Sequence, residues 1–109
     1  MTAWKAHERR IARRLGGQRN GATGKATADV ETNLLAIECK QRTALPKWLH
    51  KAMQQAVDAA TATQMPIVVL HELGKRSDGD YVVIRLGDFQ SLYAGVINDH
   101  MLEERSECN

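Results

Sequence analysis

Residues 34–41, with the sequence LLAIECKQ, decide how this chain of 109 residues folds. The stretch begins with apolar residues and carries charged residues near its end. Period-two alternation predicts a strand that turns positions 35, 37 and 39 toward a core and carries Glu38 and Lys40 on its other face. Just upstream, residues 28–31 (ADVE) predict a shorter strand, and Thr32-Asn33 supplies a hairpin turn. Such a hairpin lets Asp29 reach the face that carries Glu38 and Lys40.

The elements around this hairpin predict an α/β fold. Apolar positions at helical spacing predict a helix over residues 4–15, stopped by Gly16-Gly17, and residues 18–27 are typical of turns or an irregular edge strand. After Pro46, a second amphipathic helix is predicted, which Pro66 cannot continue. Residues 66–70 and 81–86 predict two strands around a polar turn, and residues 88–97 a last helix with Asp88 as its N-cap. The order indicates a sandwich of helices around one sheet.

Composition indicates one soluble domain. With 43% hydrophobic and 26% charged residues, residues 1–100 suffice for one core, and residues 101–109 form an acidic tail expected to fray. The apolar runs are too short to span a bilayer and the N-terminus is basic, so we expect an intracellular, cytoplasmic protein without membrane association.

The net charge of +2 is modest, but cations crowd the first quarter of the chain. This region is therefore where a nucleic-acid phosphate would bind. The predicted DNA-binding side chains are Lys5, Arg9, Arg10, Arg13, Arg14, Arg19, Lys25 and Arg42.

Asp29, Glu38 and Lys40 together predict a catalytic site that uses a bound metal ion. Two carboxylates provide the oxygen ligands that Mg²⁺ prefers, and a bound Mg²⁺ is usually completed by water and substrate phosphate. A neighbouring lysine can orient or deprotonate the attacking water and offset charge on the phosphate. The alternative is a plain surface ion pair between Glu38 and Lys40.

Glu8 adds an independent signal. Helical stepping places it inside the apolar arc of the first helix, among Trp4, Ile11 and Leu15, while arginines and a lysine cover the rest. A buried carboxylate needs a partner, which a metal ion or Lys40 would provide. The alternative is that Glu8 lies at the margin of the arc and pairs with an arginine.

These residues resemble the PD-(D/E)XK nuclease superfamily: a glutamate on the first helix, Asp29, and Glu38-x-Lys40 on a strand followed by a helix. More narrowly, residues 7–11 (HERRI) through 38–40 (ECK) resemble small Holliday junction resolvases of the archaeal type and related phage-encoded endonucleases. The likeness covers residues 4–89. Ala28 stands where the name of the motif has proline.

The resemblance implies a restriction-endonuclease-like fold, a mixed β-sheet flanked by helices with an αβββαβ core and an extra C-terminal strand and helix. It also implies a Mg²⁺-dependent endonuclease, with Mn²⁺ as a substitute, that acts as a homodimer on four-way DNA junctions in recombination and repair. Lys40 is then catalytic, and Gln55 resembles a glutamine that some members carry on the next helix, although a solvated helix residue explains it equally well. The metal site implied here comprises Glu8, Asp29, Glu38 and Cys39.

Two other functions remain open within this fold: a nicking, repair or restriction-like nuclease, and a non-catalytic DNA-binding module. Residues beyond the needs of one small core, Leu92, Tyr93 and Val96, are candidates for a dimer interface. The segment around Gly24-Lys25 lacks the spacing of a phosphate-binding loop. The histidines show no metal-ligand spacing and are expected to be structural or surface groups.

Overall fold

A computed structural model describes residues 2–21 and 27–107, with side chains described as far as Val96. The chain is a small mixed α/β protein whose elements are α1 (Ala3–Leu15), β1 (Gln18–Arg19), β2 (Val30–Glu31), β3 (Ala36–Ile37), α2 (Lys47–Ala59), β4 (Ile67–Leu70), β5 (Tyr81–Ile84) and α3 (Leu86–Glu107). They divide into two compact units, residues 1–44 and residues 45–109. Lys25 and Cys108 lie outside the described residues.

The first unit is a three-stranded antiparallel sheet, in the order β1-β2-β3, on which α1 packs against β1 and β2. The helix was correctly predicted, and its inward arc buries Glu8, Ile11, Ala12 and Leu15. Opposite this arc, Val30 of β2 is completely buried. Trp4, predicted among the core positions, is 50% exposed; it lies in the first helical turn, and the cations of Lys5 and Arg19 lie over its ring.

The two glycines that end α1 have different roles. Gly16 adopts a left-handed backbone with φ of 67°, which glycine enters without the steric penalty of a Cβ. Gly17 is needed for space, since a Cβ there would lie 2.8 Å from the Glu31 carbonyl oxygen and 2.9 Å from a methyl carbon of Val30. The pair therefore both stops the helix and lets the chain turn directly onto β2.

The strand predicted over residues 34–41 pairs with its neighbour only at Ala36 and Ile37. The cause is Asp29. The Thr32 amide bonds to the Leu35 carbonyl, so in a regular ladder the Cys39 amide would bond to the Ala28 carbonyl. Instead, the Cys39 amide donates to Oδ2 of Asp29 at 2.8 Å, which ends the backbone ladder.

The second unit joins β4 and β5 as an antiparallel hairpin, and α2 packs against β4. The half-buried side of α2 includes the predicted positions Leu49, Met53, Ala56 and Val57. The last helix begins at Leu86, two residues before the predicted N-cap, and continues through residues 101–107, which the sequence assigned to a tail.

Among the described strands, every pairing joins neighbours in sequence, and both sheets are antiparallel. The single mixed sheet expected from the resemblance would need a parallel pairing across α2, and no such pairing occurs between the described strands. The predicted order of helices and strands is confirmed, whereas the single sheet is not observed.

Candidate nuclease site in the first unit

The hairpin of β2 and β3 brings Asp29 to the chain segment that carries Glu38 and Lys40. The register pairs Val30 with Ile37, so one residue further along, Asp29 stands opposite Glu38. The hydrogen bond from the Cys39 amide holds the Asp29 carboxylate at this point. The predicted reach of Asp29 across the hairpin is therefore observed.

The alternation predicted for residues 35–40 is also observed. Leu35, Ile37 and Cys39 are half-buried, while Glu38 and Lys40 are exposed, on the opposite face. Exposure leaves both charged side chains accessible to a large substrate such as nucleic acid.

Glu8 faces inward from α1, as its place in the apolar arc predicted, and is 7% exposed. Its partner is Arg19, whose Nε donates to Glu8 Oε2 at 2.7 Å. Sequence reasoning proposed a metal ion or Lys40 as the partner and weighed an arginine as the alternative; in the structure an arginine of β1 takes that place. The burial and the arginine pairing occur together, although sequence reasoning treated them as alternatives.

The Cys39 thiol has a raised pKa. Its pKa is raised from the ordinary value of 9.0, first by burial and then by the negative charges of Asp29, Glu8 and Glu38, in that order. Burial and nearby negative charge both disfavour the thiolate, so Cys39 keeps its proton to higher pH than a free cysteine does.

The donor set fits a hard cation in its chemistry. Glu8, Asp29 and Glu38 offer carboxylate oxygens, the ligands of Mg²⁺ and Mn²⁺. The Cys39 thiol does not fit, since its raised pKa favours the neutral form and sulfur is a soft ligand. The only oxygen atom that Cys39 could offer to such a cation is its backbone carbonyl oxygen. In the part of the chain that the structure describes, no group of three or more His, Cys, Asp or Glu side chains is arranged to hold a metal ion.

The basic side chains predicted to bind DNA have different environments. Arg9, Arg10, Arg13 and Arg14 lie on the exposed side of α1, and an Arg10 nitrogen lies 3.2 Å from Nδ1 of His7. Exposed Arg42 bonds to the carbonyl of the preceding residue. Lys5 and Arg19 differ from these, because both lie over the ring of Trp4.

The remaining candidates belong to the second unit. Gln55 is an exposed residue of α2. Of the candidate interface residues, Leu92 and Val96 are about half exposed, but Tyr93 is 7% exposed and stacks on Phe89, with ring centroids 5.8 Å apart. Tyr93 is thus a buried residue, unlike Leu92 and Val96.

Two contributors to the site were missed by sequence reasoning. Asn20 follows β1 and donates through Nδ2 to the Ala28 carbonyl at 2.8 Å, while its amide bonds to the Asp29 carbonyl. These two hydrogen bonds hold the backbone at Ala28 and Asp29, and so help to position the Asp29 side chain. The other is the choice of Arg19 as the partner of Glu8: sequence reasoning weighed an arginine in this place but did not single out this one.

Comparisons with protein-family models, with curated proteins and with solved structures find no match to the chain. No helix among the described residues is both long enough and apolar enough to cross a membrane.

Proposed function

We propose that this protein is a Mg²⁺-dependent DNA endonuclease and that four-way junctions are its preferred substrate. The observation that carries the proposal is the hydrogen bond from the Cys39 amide to Oδ2 of Asp29, which holds this carboxylate at the point of the hairpin where Glu38 stands opposite. The fold proposed for it is the restriction-endonuclease-like fold of the PD-(D/E)XK superfamily. Junction preference and a homodimeric state rest on the resemblance to junction resolvases.

In this proposal Asp29 and Glu38 hold the cation, and Glu8 completes the site. When bound, Mg²⁺ supplies polarisation of the phosphodiester and a lowered pKa for an attacking water. The Lys40 ammonium lies on the same strand face as Glu38, where it can orient that water and offset negative charge on the phosphate. The exposed arginines of α1 bind the DNA backbone without reading its sequence.

The test compares cleavage of a four-way junction, a flap and a linear duplex of matched sequence in Mg²⁺. The expected result is paired nicks in the junction and slower cutting of the other two substrates. Equal cutting of all three would leave a nuclease of another substrate class. Lys40→Ala is expected to bind the junction and to cut it about 10²- to 10⁴-fold more slowly. Lys51→Ala, which removes an exposed lysine of α2, is the matched control.

One observation favours a second candidate, a DNA-binding module without catalysis. Glu8 already has a cation partner in Arg19, so its burial does not require a metal ion. This candidate predicts salt-dependent junction binding and no cutting in Mg²⁺ or Mn²⁺ by either the wild type or Lys40→Ala. The same cleavage experiment therefore decides between the two.

A further inference from the structure

Trp4 is the exposed member of the inward arc of α1. It is 50% exposed, whereas the buried positions of this arc are Glu8, Ile11, Ala12 and Leu15. A half-exposed indole keeps a large apolar π surface in water, and a ligand that covers this surface gains free energy. The groups around the ring therefore indicate which kind of ligand fits.

Two cations lie over the ring of Trp4. Nζ of Lys5 lies 5.3 Å from the ring centroid, and the guanidinium carbon of Arg19 lies 5.8 Å from it. Both distances are within the range of cation–π attraction. A ligand that covers this ring is therefore favoured if it carries negative charge.

Glu8 offsets only part of this positive charge. It pairs with Arg19, whose Nε lies 2.7 Å from Oε2, so this guanidinium is held in place beside the ring. The charge of Lys5 remains as an excess, and the exposed side of α1 adds the arginines at positions 9, 10, 13 and 14. An anion drawn to this helix thus finds an exposed indole at one end of it.

The ligand that complements an exposed indole and an excess of positive charge is a planar ring linked to an anion. A nucleotide has both features, because its base offers a π face and its phosphate is negative. Proteins that bind single-stranded nucleic acid combine basic surfaces with aromatic side chains on which bases stack. A base inside a duplex is already stacked on its neighbours, so only an unpaired base can offer its face.

We propose that Trp4 is a stacking platform for an unpaired base of DNA and that Lys5 binds the phosphate of the same nucleotide. The inference rests on the DNA binding of the proposed function. It adds a contact with a base, which a paired DNA offers only where its stacking is interrupted, as at a branch point. Trp4 lies one helical turn before Glu8, so the base would be held beside a candidate site residue.

The chain offers a matched control in its other tryptophan. Trp48 is 58% exposed and also lies in the first turn of its helix, α2. Among the described residues, cations lie over the ring of Trp4 and not over that of Trp48. Exposure alone would make the two indoles equivalent, so a difference between them tests the role of the positive surroundings.

The first experiment measures affinity by fluorescence anisotropy, in EDTA, for a labelled oligothymidylate and for an abasic strand with the same number of phosphates. The wild type should prefer the oligothymidylate by about fivefold to hundredfold, the usual contribution of one stacked base. Trp4→Leu should reduce this preference to less than about twofold, because phosphate attraction alone remains. Trp4→Phe should keep most of the preference, and Trp48→Leu should leave it unchanged.

The second experiment follows the emission of Trp4 itself. The chain has two tryptophans, so Trp48→Phe leaves Trp4 as the only indole. A base stacked on the ring should quench this emission saturably when oligothymidylate is added, and the abasic strand should not. Should Trp4→Leu fail to fold, this titration of a protein with native Trp4 decides by itself.

Equal affinities of the wild type for the two strands would overturn the proposal, as would equal losses in Trp4→Leu and Trp48→Leu. Tighter binding of a glutamate–tyrosine copolymer than of oligothymidylate would overturn it too, since the surface would then fit an acidic protein segment. The outcome for cleavage is separate, because no metal is present in either experiment. A base preference that depends on Trp4, without cutting in Mg²⁺, retains the platform and removes the nuclease function; cutting without a base preference does the reverse.

Discussion

Truncating Val30 to alanine should destabilise the first unit by an amount that its burial allows us to estimate. The Val30 side chain is 0% exposed and faces the buried arc of α1. Removing its two methyl groups forfeits about 1.6 kcal/mol of transfer free energy, and the cavity left behind adds to this. We therefore expect the free energy of unfolding to fall by about 2 kcal/mol and the melting temperature to fall by about 8 °C.

The matched control is Val69→Ala, because Val69 is also a strand valine but is 55% exposed. It loses the same atoms and the same β-branching, and it should cost no more than about 0.5 kcal/mol. Urea unfolding followed by circular dichroism measures both variants. Equal losses for the two would refute the conclusion that α1 and β2 enclose a dry core at Val30.

Three further predictions concern the site and its surroundings. Lys40→Ala should reduce junction cleavage by about 10²- to 10⁴-fold, the usual contribution of a positioned general acid or base; single-turnover rates beside Lys51→Ala measure this, and equal rates would remove Lys40 from catalysis. Gly17→Ala should lower the melting temperature well below that of Gly79→Ala, since a Cβ at Gly17 meets backbone at 2.8 Å whereas one at Gly79 meets nothing within 4 Å; equal thermal melts would contradict this packing. Because the pKa of Cys39 is raised above 9.0, the folded protein retains this proton to higher pH than the unfolded chain does, so the stability contributed is present below pH 9.0 and is lost as the pH rises through the folded value. Alkylation of Cys39, in a background without the other cysteine, should therefore need more alkaline pH in the folded protein than in urea, and identical pH profiles would contradict the shift.

The helices could be predicted from the sequence because local signals specify them. In α1 the apolar arc and the two glycines that follow it lie within one segment. The bounds of the helix were predicted to within a residue, and Glu8 was correctly predicted to face inward. In α2, Pro46 and the spacing of Leu49 and Met53 were similarly sufficient. A pattern read along one element needs no knowledge of what the element packs against.

The strands and the partner of Glu8 could not be predicted in the same way. The ladder between β2 and β3 stops short at Cys39, whose amide donates to the side chain of Asp29, the residue before β2, and not to a backbone carbonyl. The pairing of Glu8 with Arg19 joins residues 11 apart across the turn that follows α1. Sequence reasoning showed that Glu8 needs a cation, but several cations were within reach, and only the tertiary structure selects one.

The selection of Arg19 follows from the turn at Gly16 and Gly17. The left-handed backbone at Gly16 reverses the chain, and the missing Cβ at Gly17 lets it run against β2, so β1 returns alongside the buried face of α1. Arg19 lies two residues after Gly17. Its guanidinium therefore reaches Glu8, which lies nearly two helical turns before the end of α1. Because the chain reverses here, Asn20 lies beside the segment before β2 and donates hydrogen bonds to the carbonyls of Ala28 and Asp29. A side chain added at Gly17 would therefore disturb both the ion pair of Glu8 with Arg19 and the hydrogen bonds of Asn20 to the backbone at Ala28 and Asp29, so the positions of two candidate site residues depend on a glycine that bears no functional group.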